Sequence, residues 1–251
     1  MSVSSVEGLP VVEEGDSVGE LIWRNLDTSP DVDVDVDVDV DVDVICVAST
    51  VVSKAEGRVK SLDEYEVSER AEELAHRIAE VQGEDGNRDP RFAQAVLEES
   101  EELLIESPFL LAVTRFGHIA PNAGIDRSNV GVGVGAGEDD KILLLPENPD
   151  ESARRIADEL TGFDCAVIVT DTCGRPFRRG QTGVAIGWSG MGAIRDWRGE
   201  TDMHGRELEA TEEAVADELA GMANLVMGEG SGGVPAVTFE GVASVIEGVG
   251  D

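Results

Sequence analysis

An α+β fold with mixed β-sheets and packed helices is predicted for this 251-residue chain by three observations. Short apolar runs of strand length, at 44–48 and 165–169, lie between segments whose apolar residues recur three and four positions apart. Hydrophobic residues make up 41% of the chain, enough to build a core. The length suits residues 1–251 as a single unit, open to division into two interleaved subdomains.

Taken in order, the elements begin with seven consecutive Asp-Val pairs from Asp31 to Val44. Strict alternation would place every valine on one strand face, but aspartate is a poor strand former and like charges would line up on the other. Residues 31–43 are therefore read as a low-complexity insertion lengthening a loop, and only its end joins the strand ValIleCysValAla at 44–48. After Ser68, the set Ala71, Leu74, Ala75 and Ile78 has helical spacing. Asp89-Pro90 opens a further helix, with aspartate at the cap and proline in the first turn. A third runs from Asn148-Pro149 through Ala153, Ile156, Ala157 and Leu160 to Gly162, with Asp150 and Glu151 near its positive end. It feeds CysAlaValIleVal at 165–169, a buried strand by length and composition. Leu208, Thr211, Val215, Leu219, Met222 and Val226 mark a long amphipathic helix that stops at Gly228.

Charge narrows the partners. Fifty-three acids against nineteen basic residues leave a formal charge of -34, which disfavours nucleic acid and anionic membranes. Only Lys54, Lys60 and Lys141 are lysines; the other basic residues are arginines. Such composition suits a salt-loaded cytoplasm, where a Debye length of about 3 Å near molar ionic strength screens the self-repulsion. Cys46, Cys165 and Cys173 form no CxxC and are read as free thiols in a reducing cell. The N-terminus lacks a basic region followed by an apolar one, and no apolar run reaches membrane-spanning length, so a cytoplasmic protein is expected.

The charge map also isolates the chemistry. From Thr172 to Arg195 there is no acid, where about five would fall at the average density, yet there are four arginines: Arg175, Arg178, Arg179 and Arg195. A segment spared from the negative bias and supplied with guanidinium groups suits an anion, since these hold phosphate and carboxylate through paired donors. A buried apolar strand and loop would explain the missing acids but not the arginines. Asp171, expected at the end of the apolar strand beside the hydroxyl of Thr172, offers oxygen donors for magnesium or manganese. Asp126 is again a lone acid after the acid-free stretch 111–125, and the two aspartates suggest one metal centre. MetGlyGluGlySerGlyGlyVal at 227–234 could wrap phosphates with backbone amides and add Glu229 as a ligand, or be a plain connector. No GxxxxGK[ST] occurs, so a P-loop is not expected, and GlyValGlyValGlyAlaGly at 131–137 runs into acids rather than a helix and is read as a loop. Lys54 is a phosphate-binding candidate or a snorkelling strand residue. The three histidines lack ligand spacing.

Together these residues make the sequence resemble the coenzyme F-420:L-glutamate ligase family. The matching blocks are 8–12, 51–58, 122–129, 144–150, ThrAspThrCysGlyArgProPheArgArgGlyGlnThrGlyValAlaIleGly at 170–187, and 202–208. The resemblance implies a GTP-dependent ligase that adds L-glutamate through γ-linkages to a deazaflavin coenzyme precursor by way of an acyl phosphate, giving mono- and diglutamyl forms. It implies magnesium or manganese, potassium as activator, and an intertwined homodimer. Carried onto matching positions, Asp126, Asp171, Thr172 and Glu229 are the implied metal ligands. Leu9, Pro10, Val11, Val12, Ser49, Thr50, Lys54, Asn129, Met227, Gly228, Glu229, Gly230, Ser231, Gly232, Gly233 and Val234 are the implied nucleotide contacts. Lys54, Arg175 and Arg178 are the expected catalytic cations. The Asp-Val tract departs from the short acidic turn of the family, and no nitroreductase-like domain is appended, so ligase activity alone is expected. Competing readings are a metal-dependent phosphohydrolase and a non-catalytic nucleotide-binding module.

Overall fold

A computed structural model describes residues 1–26, 42–82, 89–127, 140–162, 164–230 and 232–247. The Asp-Val tract lies outside them except at its end, as do Asn129, Ser231 and the 131–137 glycine run. The architecture is α+β, in two compact units: Met1–Ala55 with Asn148–Asp251, and Glu56–Glu147.

In chain order the first unit begins with β1 (Ser2–Ser5), α1 (Val18–Leu26), β2 (Val44–Ala48) and α2 (Ser49–Ala55). The second unit holds β3 (Val59–Ser61), α3 (Glu69–Gln82), α4 (Pro90–Glu98), β4 (Ser100–Ile105), β5 (Leu111–Thr114), β6 (Ile119–Pro121) and β7 (Lys141–Leu143). The first unit resumes with α5 (Pro149–Glu159), β8 (Ala166–Gly174), β9 (Gln181–Ser189), β10 (Arg195–Asp196), β11 (Glu212–Glu213), α6 (Val215–Met227), β12 (Ala236–Glu240) and α7 (Ala243–Ile246).

The first unit is organised on a mixed five-stranded sheet of order β1-β12-β2-β8-β9, in which only β2 and β8 run parallel. Val44, Cys46, Ala166, Ile168, Val237 and Phe239 pack against Val215, Leu219 and Ala223 of α6. Their neighbours Ile45, Val47, Val167 and Val169 are equally buried, so both sheet faces are covered, and near-continuous apolar strands follow from that. An irregularity between Val169 and Thr170 pairs these residues with Gly187 and Ala185, leaving Ile186 as an extra residue on β9. Residues four apart on a regular strand share a face, yet Gly183 abuts Ala220 of α6 and Gly187 abuts Pro149 of α5. The extra residue turns β9 over between them. At either glycine a Cβ would sit 2.3 Å from helix backbone, so close helix approach requires glycine there.

The second unit buries Leu74, Ala75 and Ile78 of α3 against Phe92 and Val96 of α4, with Leu110, Ile142 and Leu144. Beside them are a β4-β5-β6 sheet and a β3-β7 pair. Asp89 caps α4 by accepting from the Arg91 amide at 2.9 Å, and Asn148 caps α5 by accepting from Glu151 at 3.3 Å.

Two expectations need correction. The long helix begins at Val215, not Leu208: the Leu208 and Thr211 carbonyls instead accept from Gly199 and Trp197, and on the helix itself Val215 and Leu219 are buried while Met222 and Val226 are exposed, Ala216, Ala220 and Ala223 completing the buried face. Lys54 is on a helix rather than a strand.

Candidate active site

The register of the parallel pair decides the site. Ala48 lies opposite Thr170, so the residues that follow, Ser49 opening α2 and Asp171 on β8, emerge side by side although 122 positions apart. The Ser49 hydroxyl donates to Asp171 Oδ1 at 3.0 Å from a position only 4% exposed. A buried hydroxyl on a carboxylate fixes its rotamer and leaves the second oxygen to other partners. Contrary to expectation, Asp171 does not end its strand but lies within it: β8 continues to Gly174 and turns back into β9. The carboxyl end of a parallel pair is where open α/β sheets collect ligands, and here that edge carries a carboxylate, two serine or threonine hydroxyls and an ammonium group nearby on α2.

Thr50 and Lys54, four residues apart, share a face of α2. Partial burial draws the Lys54 ammonium below the ordinary lysine range. Cys173, two residues beyond Asp171, is pushed the other way, by burial first and then by the charges of Asp171 and Asp217, so its thiol resists ionisation. Its neighbour Thr172 pairs with Gly183, against which α6 packs. That contact brings the end of α6 alongside the hairpin. Beyond it Gly228 adopts φ 68°, open to glycine, and ends the helix. Glu229 then accepts from Gln181 Nε2 at 3.1 Å, tying the 227–234 loop to β9.

Asp171, Thr172 and Glu229 thus belong to one unit, linked through the β8–β9 hairpin. Asp126 belongs to the second unit, where its backbone exchanges two hydrogen bonds with Leu143, at 2.9 and 2.8 Å. Among the described residues, no three histidine, cysteine, aspartate or glutamate side chains are grouped so as to hold a metal ion. Leu9 to Val12 form the segment between β1 and α1; Val12 is buried and Val11 exposed. Of the four arginines in the acid-free window, Arg195 pairs with Glu213 at 3.4 Å and lies over Trp197, so it serves the local fold. Arg175, Arg178 and Arg179 occupy the exposed turn of the hairpin.

Two residues escaped the sequence reading. Gln181 holds Glu229, and Asp217 accepts from the Ala185 amide at 2.9 Å beside the β9 irregularity. Gln181 lay inside the acid-free window, and its amide was the only signal there. Asp217 was indistinguishable from any other acid in the first turn of a helix.

Fold and site define an α+β protein in which a buried serine holds a carboxylate at the carboxyl edge of the parallel strand pair, with a lysine on the helix that the serine opens and three arginines on the hairpin turn beyond. The chain belongs to the F420-0:Gamma-glutamyl ligase family, whose profile matches residues 8–241. It is 55% identical over 239 residues to the coenzyme F420:L-glutamate ligase of Haloarcula marismortui, covering 94% of this chain and 85% of that protein. The coenzyme F420:L-glutamate ligase of Archaeoglobus fulgidus is 49% identical over 251 residues, 99% of this chain and 90% of its own. That of Methanosarcina mazei is 42% identical over 247 residues, with 97% and 87% covered. Among the described residues no helix is long and apolar enough to cross a membrane.

Proposed function

We propose that this chain is a coenzyme F420:L-glutamate ligase that consumes GTP, works with magnesium or manganese and potassium, and functions as an intertwined homodimer. Family membership supports the ligase activity, and the observation that carries the site is the hydrogen bond from Ser49, at the start of α2, to Asp171 within β8. Oxygen-only donors at Asp171, Thr172 and Glu229 fit a hard divalent cation. When bound, the cation supplies positive charge against the γ-phosphoryl oxygens.

The chemistry is two displacements. The terminal carboxylate of the F420 precursor attacks the γ-phosphorus of GTP, the bond to the β-phosphate oxygen breaks, and GDP leaves an acyl phosphate behind. The amine of glutamate then attacks the acyl carbon, inorganic phosphate departs, and the nitrogen gives up a proton as the amide forms. Ser49 keeps the Asp171 carboxylate oriented throughout. Lys54 offsets the negative charge of the nucleotide, and Arg175 and Arg178 that of the acceptor. Repetition on the new γ-carboxylate yields the diglutamyl product.

Mass spectrometry of the precursor incubated with the protein, GTP, glutamate and manganese in molar potassium chloride tests the reading. Addition of one and then two glutamyl groups, with one GDP released per amide, is expected. GDP release without amide would indicate a phosphohydrolase, and tight GTP binding without either a binding module. Circular dichroism during removal of salt checks the companion expectation, that the -34 charge loosens the fold once screening falls.

A further inference from the structure

The turn between β8 and β9, Arg175 to Gly180, presents a feature that the two displacements do not use. Phe177 at its apex is fully exposed, at 108% of the reference area, in a chain where aromatic residues are only 4%. Its φ of 60° lies in the left-handed region, which a bulky side chain seldom occupies. Around it stand Arg175, Arg178 and Arg179. Among the described residues none of these three forms an ion pair, although the chain has 53 acids. The Arg175 guanidinium instead donates to the Arg179 carbonyl at 3.0 Å, closing the turn on itself. A ring held in water on a turn that also carries three arginines is a surface prepared for an aromatic anion.

Position along the hairpin says which substrate. Four residues of extended strand separate Asp171 from Arg175, about 13 Å. The nucleotide contacts implied by resemblance lie on the 9–12 segment, on α2, at Asn129 and on the 227–234 loop; that loop meets the foot of the hairpin through Glu229 and Gln181, but none of the implied contacts is a residue of the turn itself. A substrate whose carboxylate reacts at the Asp171 end and whose heteroaromatic body extends away along β8 reaches it.

We infer that the Arg175–Gly180 turn docks the ring and anionic groups of the coenzyme substrate, with Phe177 as the stacking residue. The inference rests on the ligase reading. Phe177 is wholly exposed, so its replacement leaves the core untouched.

Binding of the F420 precursor to wild-type protein, Phe177→Ala and Phe177→Trp is measured by fluorescence anisotropy in molar potassium chloride, alongside KM for GTP and sedimentation velocity. Phe177→Ala is expected to weaken precursor binding about tenfold, as loss of one base-sized stack does. Phe177→Trp restores it, while KM for GTP stays within about twofold and sedimentation is unchanged. Unaltered precursor affinity in Phe177→Ala overturns the inference. So does an equal rise in KM for GTP, which would give the ring to the nucleotide, or altered sedimentation, which would give it to a second copy of the chain. Wild-type protein that forms no glutamyl amide refutes the ligase reading separately, because the binding measurement needs no turnover.

Discussion

Arg91 in the second unit reaches Asp89 at 2.8 Å, Asp140 at 2.7 Å and Asp63, whereas Arg175, Arg178 and Arg179 at the hairpin turn of the first unit meet no carboxylate among the described residues. Arg70 and Arg77 share Glu106, and Arg58 pairs with Glu99 at 2.6 Å while donating to the Leu145 carbonyl at 2.9 Å. The hydrogen bonds from Arg91 hold the Asp89 carboxyl below the usual range, and Asp89 in turn caps α4. In a chain this acidic, any arginine near the second-unit helices finds partners and becomes part of the fold. From Thr172 to Arg195 the sequence withholds acids, and three of the four guanidinium groups there meet no carboxylate among the described residues, Arg195 reaching Glu213 from beyond the window.

Substitutions on the two sides should separate activity from stability. Asp171→Asn is expected to cut kcat at least about a hundredfold, the scale of losing one preorganised electrostatic contact, with its melting temperature within about two degrees of wild type. Near-normal turnover in that variant would remove Asp171 from the chemistry. Arg58→Ala should do the reverse. It strips Glu99 of a partner in a site where both side chains are less than a fifth exposed, and about 2 kcal/mol of unfolding free energy is expected to go, read by denaturant titration in molar salt. Unchanged stability there would break the contrast. Arg178→Gln should raise KM for an anionic substrate about fivefold and leave stability within about 0.5 kcal/mol.

The smallest effect sharpens the description of the second unit. Tyr65 is the only tyrosine, so phenolate absorbance reads it alone. Burial, then the charges of Glu99 and Glu98, push its phenol up to about 12. The folded value lies above the unfolded one, so the neutral phenol favours the native state below about pH 10, and this contribution is lost as pH rises through about 12. Glu99→Gln should move the midpoint down. A titration midpoint near 10 in the folded wild-type protein would show that neither burial nor these carboxylates raise the phenol.

The helices were legible because their signals are local. Pro90 and Pro149 sit in first turns, Asp89 and Asn148 cap those helices, and Ala71, Leu74, Ala75 and Ile78 repeat on a face that is indeed buried. Periodicity misled at Leu208 and Thr211, where apolar spacing continued by coincidence into a segment whose carbonyls serve Gly199 and Trp197. The apolar run at 165–169 marks only part of β8, because Thr170, Asp171, Thr172 and Cys173 lack the apolar composition of a buried strand. Antiparallel pairing with β9 carries the chain through them nonetheless.

By itself the sequence determined the α+β class, the caps, the core faces of α3 and α5 and the acid-free window with its arginines, since each follows from residues close together in the chain. Only the tertiary structure decided that Ser49 donates to Asp171, that Gln181 holds Glu229, and that one extra residue on β9 turns Gly183 and Gly187 toward different helices. Those facts depend on strand register and helix approach between segments 48 to 122 residues apart in the hydrogen-bonded cases, and register is settled by packing of the whole sheet rather than by any local preference.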